Sequence, residues 1–233
     1  MGEMAERLRK IEERIAQTAL RAGRDPKSVR LVAVSKTKPA AAIADAFACG
    51  QRIFGENYVQ ELVGKQGELT QEISWHFIGS LQSNKVRQIA GRVDLIHSVD
   101  RSSLAREIDR QWGALGKFCD ILVQVNISRE ETKGGTSSEE LLDLVREVAR
   151  LPHLRVRGLM TMPPFFDDPE GARPYFRRLR ELAGEVAAAA IAGVEMRELS
   201  MGMSGDFEAA IEEGATLVRV GSALFGERQY HQG

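Results

Sequence analysis

Apolar residues in this chain alternate between short dense runs and stripes at helical spacing set among charges. The densest run is Val29-Arg30-Leu31-Val32-Ala33-Val34. Consecutive apolar positions suit a strand buried on both faces, as in a parallel sheet, because a half-exposed strand would alternate with polar residues. Ahead of it, Met4, Leu8, Ile11 and Ile15 share one helical face, and Gly23 supplies a terminator, which predicts a leading helix over 3–22. After it, Pro39 opens a second helix at its first position, with Ile43 and Phe47 on one face and Gly50 at the end. The alternation then repeats, with strands predicted at 52–56, 74–79, 93–99, 120–127, 156–162, 198–201 and 216–221. Helices are predicted at 57–69, 81–90, 102–115, 137–151, 174–192 and 206–213. Asp100 or Ser102 is expected to cap the helix to 115, and Ser137 or Ser138, with Glu139 or Glu140, the one to 151. The segment 163–169 carries Pro163, Pro164 and Pro169 and reads as a loop, as does polar 128–136.

Eight strand–helix units behind one extra helix, each crossing over right-handed, predict an α/β fold: a (β/α)8 TIM barrel with an added N-terminal helix. An open doubly wound sheet is the competitor, but the first turn, Ser35-Lys36-Thr37-Lys38-Pro39, lacks the Gly-rich dinucleotide fingerprint. With 233 residues and no repeat, low-complexity tract or linker, 1–233 reads as one barrel domain.

Charge sharpens this picture mostly by exclusion. Lys and Arg number 32 against 33 Asp and Glu, a formal net charge of -1, so no electrostatic footprint marks a nucleic-acid or anionic-membrane partner. Cys49 and Cys119 stand far apart and are expected to be free buried thiols in a reducing compartment. The charged start, Met1-Gly2-Glu3-Met4, lacks the apolar core of a secretory signal, and no run reaches spanning length, so a soluble cytoplasmic chain is expected.

The candidate chemistry lies at the carboxyl ends of the strands. Lys36 ends the first strand, where an amine near apolar neighbours becomes a usable nucleophile for a carbonyl; a solvated lysine is the competing account. After strands seven and eight, where this fold commonly docks phosphate, stand Ser200-Met201-Gly202-Met203-Ser204 and Gly221-Ser222. Closing the barrel sets strand one beside strand eight, so the expected ligand is a phosphorylated aldehyde. Pyridoxal 5′-phosphate (PLP) fits, with its aldehyde in a Schiff base on Lys36. Arg219 is the lone charge in Thr216-Leu217-Val218-Arg219-Val220 and must face a partner: the pyridine nitrogen, or a buried carboxylate.

Leu31–Pro39, Phe54-Gly55-Glu56-Asn57-Tyr58-Val59-Gln60-Glu61, Trp75–Lys85, Gly158–Met162 and Leu199–Ser204 together resemble the signatures of the pyridoxal phosphate homeostasis protein family, from the first helix to Tyr230. The resemblance implies a barrel similar to the PLP-binding domain of alanine racemase. It implies Lys36 as the Schiff-base lysine, Ser200, Gly202, Ser204, Gly221 and Ser222 around the phosphate, Arg219 at the pyridine nitrogen, and Asn57 and Met160 beside the ring. It also implies a PLP carrier or regulator of vitamin B6 pools, with PLP-dependent apoenzymes as partners and no catalytic residue of its own. The chain is expected to act as a monomer.

Two enzyme readings compete. A fold-type III racemase or decarboxylase needs an acid and a base on opposite ring faces, and of Tyr58, Tyr175 and Tyr230 none is obviously placed opposite Lys36. A Schiff-base aldolase would use Lys36 without PLP. His76 is expected to pack in the barrel wall, His97 and His153 lack metal-ligand companions, and Arg177, Arg178 and Arg180 read as a solvated helix face.

Overall fold

The computed structural model describes residues 2–130 and 132–226. Its strands are β1 (Arg30–Val34), β2 (Ile53–Glu56), β3 (Ser74–Phe77), β4 (Leu95–Val99), β5 (Cys119–Gln124), β6 (Leu154–Met160), β7 (Val194–Ser200) and β8 (Leu217–Val220). They pair in parallel, in chain order, and β8 closes on β1 from Arg30 opposite Leu217 to Ala33 opposite Val220. The expected TIM barrel is therefore present.

Side-chain alternation accounts for the dense apolar runs. Leu31 and Ala33 point outward into the large core beneath the helices, while Val32 points inward and packs with Leu95, Leu122, Met160 and Leu217. Both faces of β1 are thus covered, as a parallel strand requires.

The helices are α1 (Glu3–Arg21), α2 (Ala40–Ala48), α3 (Val59–Glu68), α4 (Val86–Ile89), α5 (Ser102–Gly113), α6 (Leu141–Val148), α7 (Arg173–Ala188), α8 (Phe207–Glu212) and α9 (Ser222–Phe225). On α1, Leu8, Ile11, Ile15 and Ala19 form the buried stripe, each large side chain contributing about 1.5–3 kcal/mol by leaving water. Arg14 pairs with Glu208 at 3.0 Å and Arg24 donates to the Ile211 carbonyl at 2.7 Å, which fastens α1 and the turn after it to α8.

Several local expectations are corrected. Pro39 caps α2 in an extended conformation instead of occupying its first helical position. The helix expected over 81–90 is a single 3-10 turn, Ser83–Lys85, running into the one-turn α4. Neither Asp100 nor Ser102 caps α5: the Asp100 carboxylate is taken by Arg101, and the Ser102 hydroxyl donates to Glu147. Ser137 does pair with Glu140, accepting its backbone N–H at 3.1 Å ahead of α6. Cys119 is buried but Cys49 is exposed. Arg177 and Arg180 are not merely solvated, since both reach the buried Glu213, which Arg173 also approaches.

Candidate functional site

Closure of β8 on β1 assembles a rim at the carboxyl ends of the strands. Lys36 stands two residues past β1 and is half-buried. On one side the Ser35 N–H donates to the Gly55 carbonyl at 3.0 Å, continuing the β1–β2 pairing toward Asn57. On the other, Gly221 lies so close to β1 that a Cβ there would sit 3.3 Å from the Val34 Cβ and carbonyl oxygen. The Gly221 N–H donates to Ser204 Oγ at 3.3 Å, which joins the turns after β7 and β8. Lys38 Nζ donates to the carbonyls of Phe225 and Gly226 at 3.3 and 3.1 Å, tying the lysine loop to the end of α9. Lys36, Asn57, Ser204, Gly221 and the exposed Ser222 thus share one end of the barrel.

Gly202, Ser200 and Met160 sit deeper. Gly202 is buried with φ +89, and a Cβ there would lie 2.6 Å from Ala210 Cβ, so it serves the turn packed under α8. Met160 belongs to the apolar plug inside the barrel. Ser200 is fully buried, and its hydroxyl joins a polar chain through the barrel interior. Arg219 Nη1 donates to Ser200 Oγ at 2.6 Å and Nη2 donates to the Thr161 carbonyl at 3.0 Å. Ser200 Oγ meets His97 Nδ1 at 2.8 Å, and His97 Nε2 meets His76 Nδ1 at 3.0 Å.

A guanidinium only donates, so Ser200 Oγ accepts from Arg219. With the His97 proton on Nε2, the Ser200 hydroxyl donates to His97 Nδ1 and His97 donates to His76 Nδ1; the His97 tautomer sets the direction of both bonds. Burial favours the neutral rings: it pushes His76 down to about 3 and His97 well below its ordinary value, and neighbouring cations act in the same sense. Burial also pulls Arg219 down to about 10, opposed by Asp206, so the guanidinium stays charged at neutral pH. Among the described residues no carboxylate forms an ion pair with it, which removes one of the two partners expected for Arg219.

A second polar cluster lies behind the lysine loop. Lys65 Nζ donates to the Ser35 carbonyl at 2.8 Å, to Glu56 Oε1 at 2.7 Å and to Glu61 Oε2 at 2.9 Å. Ser35 Oγ donates to Glu56 Oε1 at 2.6 Å, and the Thr37 N–H donates to Glu61 Oε2 at 2.7 Å. Burial pushes the Glu56 carboxyl up, opposed by the hydrogen bonds from Lys65 and Ser35. Sequence reading missed these residues as a group. Their signals were Glu56 as the one charge in Ile-Phe-Gly-Glu and the Glu61–Lys65 spacing of four on α3.

A cleft of about 460 Å³ opens beside Asn57, lined also by Tyr58, Phe77, Gly79, Gln82 and Lys85. A smaller hollow of about 260 Å³, with Arg30 and Arg52, lies at the opposite, amino-terminal end of the strands. Tyr175 is on α7 against Phe166, with ring centroids 5.8 Å apart, and Tyr230 lies outside the described residues. No helix among the described residues is long and apolar enough to cross a membrane.

Comparison with known proteins agrees with this fold. The family described as alanine racemase, N-terminal domain, matches residues 7–229. A pyridoxal phosphate homeostasis protein of Aquifex aeolicus is 48% identical, over 97% of this chain and 98% of its own length. Among solved structures, PipY of Synechococcus elongatus with PLP bound is 40% identical, with a TM-score of 0.83 covering 96% of this chain and 100% of that one. Alanine racemase of Clostridium difficile, 15% identical, shares the fold with a TM-score of 0.73 over 97% of this chain and 58% of its own.

Proposed function

The chain belongs to the pyridoxal phosphate homeostasis protein family, itself within the alanine racemase N-terminal domain family, and from that premise we propose that it holds PLP on Lys36 and acts as an intracellular carrier or regulator of the cofactor. The observation that carries the site assignment is the joining of Lys36 to the small-residue turns after β7 and β8 across the β8–β1 closure. When bound, the cofactor brings an aldehyde that condenses with an amine, releasing water, and a ring that stabilises charge on an attached carbon.

The residues fit such a group. Lys36 offers an amine at a half-buried position, with Asn57 beside it. Ser204 and Ser222 offer hydroxyls, and Gly221 permits close backbone approach, so an anionic tail finds donors there without a bulky side chain. Arg219 supplies a buried cation with no carboxylate partner among the described residues. Because it only donates, a ring nitrogen set against it stays an unprotonated acceptor, which weakens the ring as an electron sink. That electrostatic setting favours storage over turnover. Delivery would take place in the cytoplasm, to PLP-dependent apoenzymes, from a monomer.

The purified protein loaded with PLP is expected to absorb near the edge of the visible, and Lys36→Ala is expected to lose that band and bind PLP at least tenfold more weakly. Loaded wild type is further expected to reactivate a PLP-free acceptor enzyme faster than free cofactor does. An unchanged affinity in Lys36→Ala overturns the covalent assignment; reactivation no faster than from free cofactor reduces the carrier to a buffer.

A further inference from the structure

The two peptide units that flank the Lys36 Cα are held by one buried ion cluster. The unit before it presents the Ser35 carbonyl, which accepts from Lys65 Nζ at 2.8 Å. The unit after it presents the Thr37 N–H, which donates to Glu61 Oε2 at 2.7 Å. That same Glu61 oxygen accepts from Lys65 at 2.9 Å, and Glu56 Oε1 accepts from both Lys65 and Ser35 Oγ. Lys65 and Glu56 are buried on α3 and β2, the rigid elements behind the loop. Thr37 has φ +64, a left-handed conformation that a β-branched residue adopts only where its surroundings impose it. The bond from its N–H to Glu61 is such a constraint.

We propose that Lys65 and Glu61 are positioning residues for Lys36: together with Glu56 they clamp the backbone on both sides of its Cα, and so aim its amine at the rim. A lysine side chain rotates about four bonds, and fixing its root removes the loop's share of that freedom before any aldehyde arrives. The Glu56–Lys65 pair is also costly to bury as a packing device alone, since well-packed apolar residues commonly replace such pairs without loss. The proposal rests on Lys36 being the amine that takes PLP.

Lys65→Met is the obvious variant, but it leaves Glu56 buried without its cation and endangers folding. Glu61 is partly exposed, so Glu61→Ala removes the Thr37 contact while Lys65 keeps Glu56 and Ser35. Three readouts apply to wild type, Glu61→Ala and Glu61→Gln, all matched for thermal unfolding without cofactor. They are exchange of the Thr37 amide, borohydride trapping of propanal on Lys36 quantified by peptide mass spectrometry, and the rate of PLP loading. Glu61→Ala is expected to exchange Thr37 at least tenfold faster and to trap propanal and load PLP roughly tenfold more slowly; Glu61→Gln, whose amide oxygen still accepts from Thr37, is expected to recover most of the loss. Wild-type trapping and loading rates in Glu61→Ala overturn the positioning role. Failure of wild type itself to load PLP on Lys36 refutes instead the reading beneath it, and the propanal and exchange results then still decide whether the clamp acts on Lys36.

Discussion

At the scale of single residues, the barrel's interior histidines set a pH dependence. Both are held neutral in the folded state, His76 with its pKa near 3 and His97 well below the ordinary value. In the unfolded chain they take up protons near pH 6.5. Below that pH the unfolded state binds more protons, so stability falls as pH falls, by about 2 kcal/mol for each histidine between about pH 6.5 and 5. Urea unfolding near pH 7 and near pH 5 measures this. His97→Asn is expected to be less stable near pH 7 but to lose about 2 kcal/mol less than wild type on acidification. Glu56 and Asp206, both raised by burial, act in the opposite sense, equally in the two proteins, and cancel in that comparison. An equal acid loss in both proteins means that His97 takes up its proton as readily in the folded state as in the unfolded one. Lys36 and Arg219 were legible in the sequence because a lone charge beside an apolar run demands an explanation. His97 was not, because its partner Ser200 lies 103 residues away and nothing local ties the two. Ser200, expected at a phosphate, instead spends its hydroxyl between Arg219 and His97.

At the scale of elements, identical substitutions are expected to have opposite signs. Gly79 follows β3, and a Cβ there would lie 2.3 Å from the Asn57 carbonyl oxygen and 2.7 Å from its Cα. Backbone cannot yield as a side-chain tip can, so Gly79→Ala must displace the Asn57 turn and is expected to cost about 3 kcal/mol and weaken PLP binding. Gly64 lies inside α3, where an added Cβ meets nothing within 4 Å, so Gly64→Ala is expected to stabilise by about 0.5–1 kcal/mol. Denaturant unfolding and PLP titration of both variants check the pair; equal effects would mean that the turns of β2 and β3 are not in contact. The same contrast marks what could be read in advance. Strand order, the leading helix and α3 followed from periodicity, which is a local signal. The shortness of α4 did not, nor did the close approach of Gly79 to the Asn57 backbone, a contact with the neighbouring unit that no local pattern announces.

At the scale of the whole molecule, the closed ring is not equally bonded around its circumference. β5 and β6 pair from Cys119 opposite Leu154 to Gln124 opposite Met160, with one register shift between Ile121 and Leu122, whereas β7 and β8 register at Ser200 opposite Leu217 and then lead into the two turns proposed to hold the phosphate. Around that pair the Thr216 N–H donates to the Leu199 carbonyl at 3.0 Å, the Met201 N–H to the Leu217 carbonyl at 3.1 Å and the Arg219 N–H to the Gly202 carbonyl at 2.9 Å, so the seam is a shorter ladder than that of β5 and β6. Regions with fewer backbone bonds open at lower free energy, and a ligand that binds only the closed form stabilises it by mass action, about 2.7 kcal/mol at a hundredfold excess over Kd. Hydrogen exchange should therefore find the β7–β8 amides less protected than those of β5–β6 when PLP is absent. PLP should slow exchange at β7–β8 and at the β8–β1 closure by about a hundredfold at that excess, while Lys36→Ala, which keeps the turns but loses the amine, retains only part of this protection. The proposed site sits at the join with the fewest register pairs, because β7 and β8 leave the ladder there to form the turns proposed to hold the phosphate. Uniform protection around the barrel on PLP binding would break that connection between seam and site, and would place the ligand's hold elsewhere on the rim.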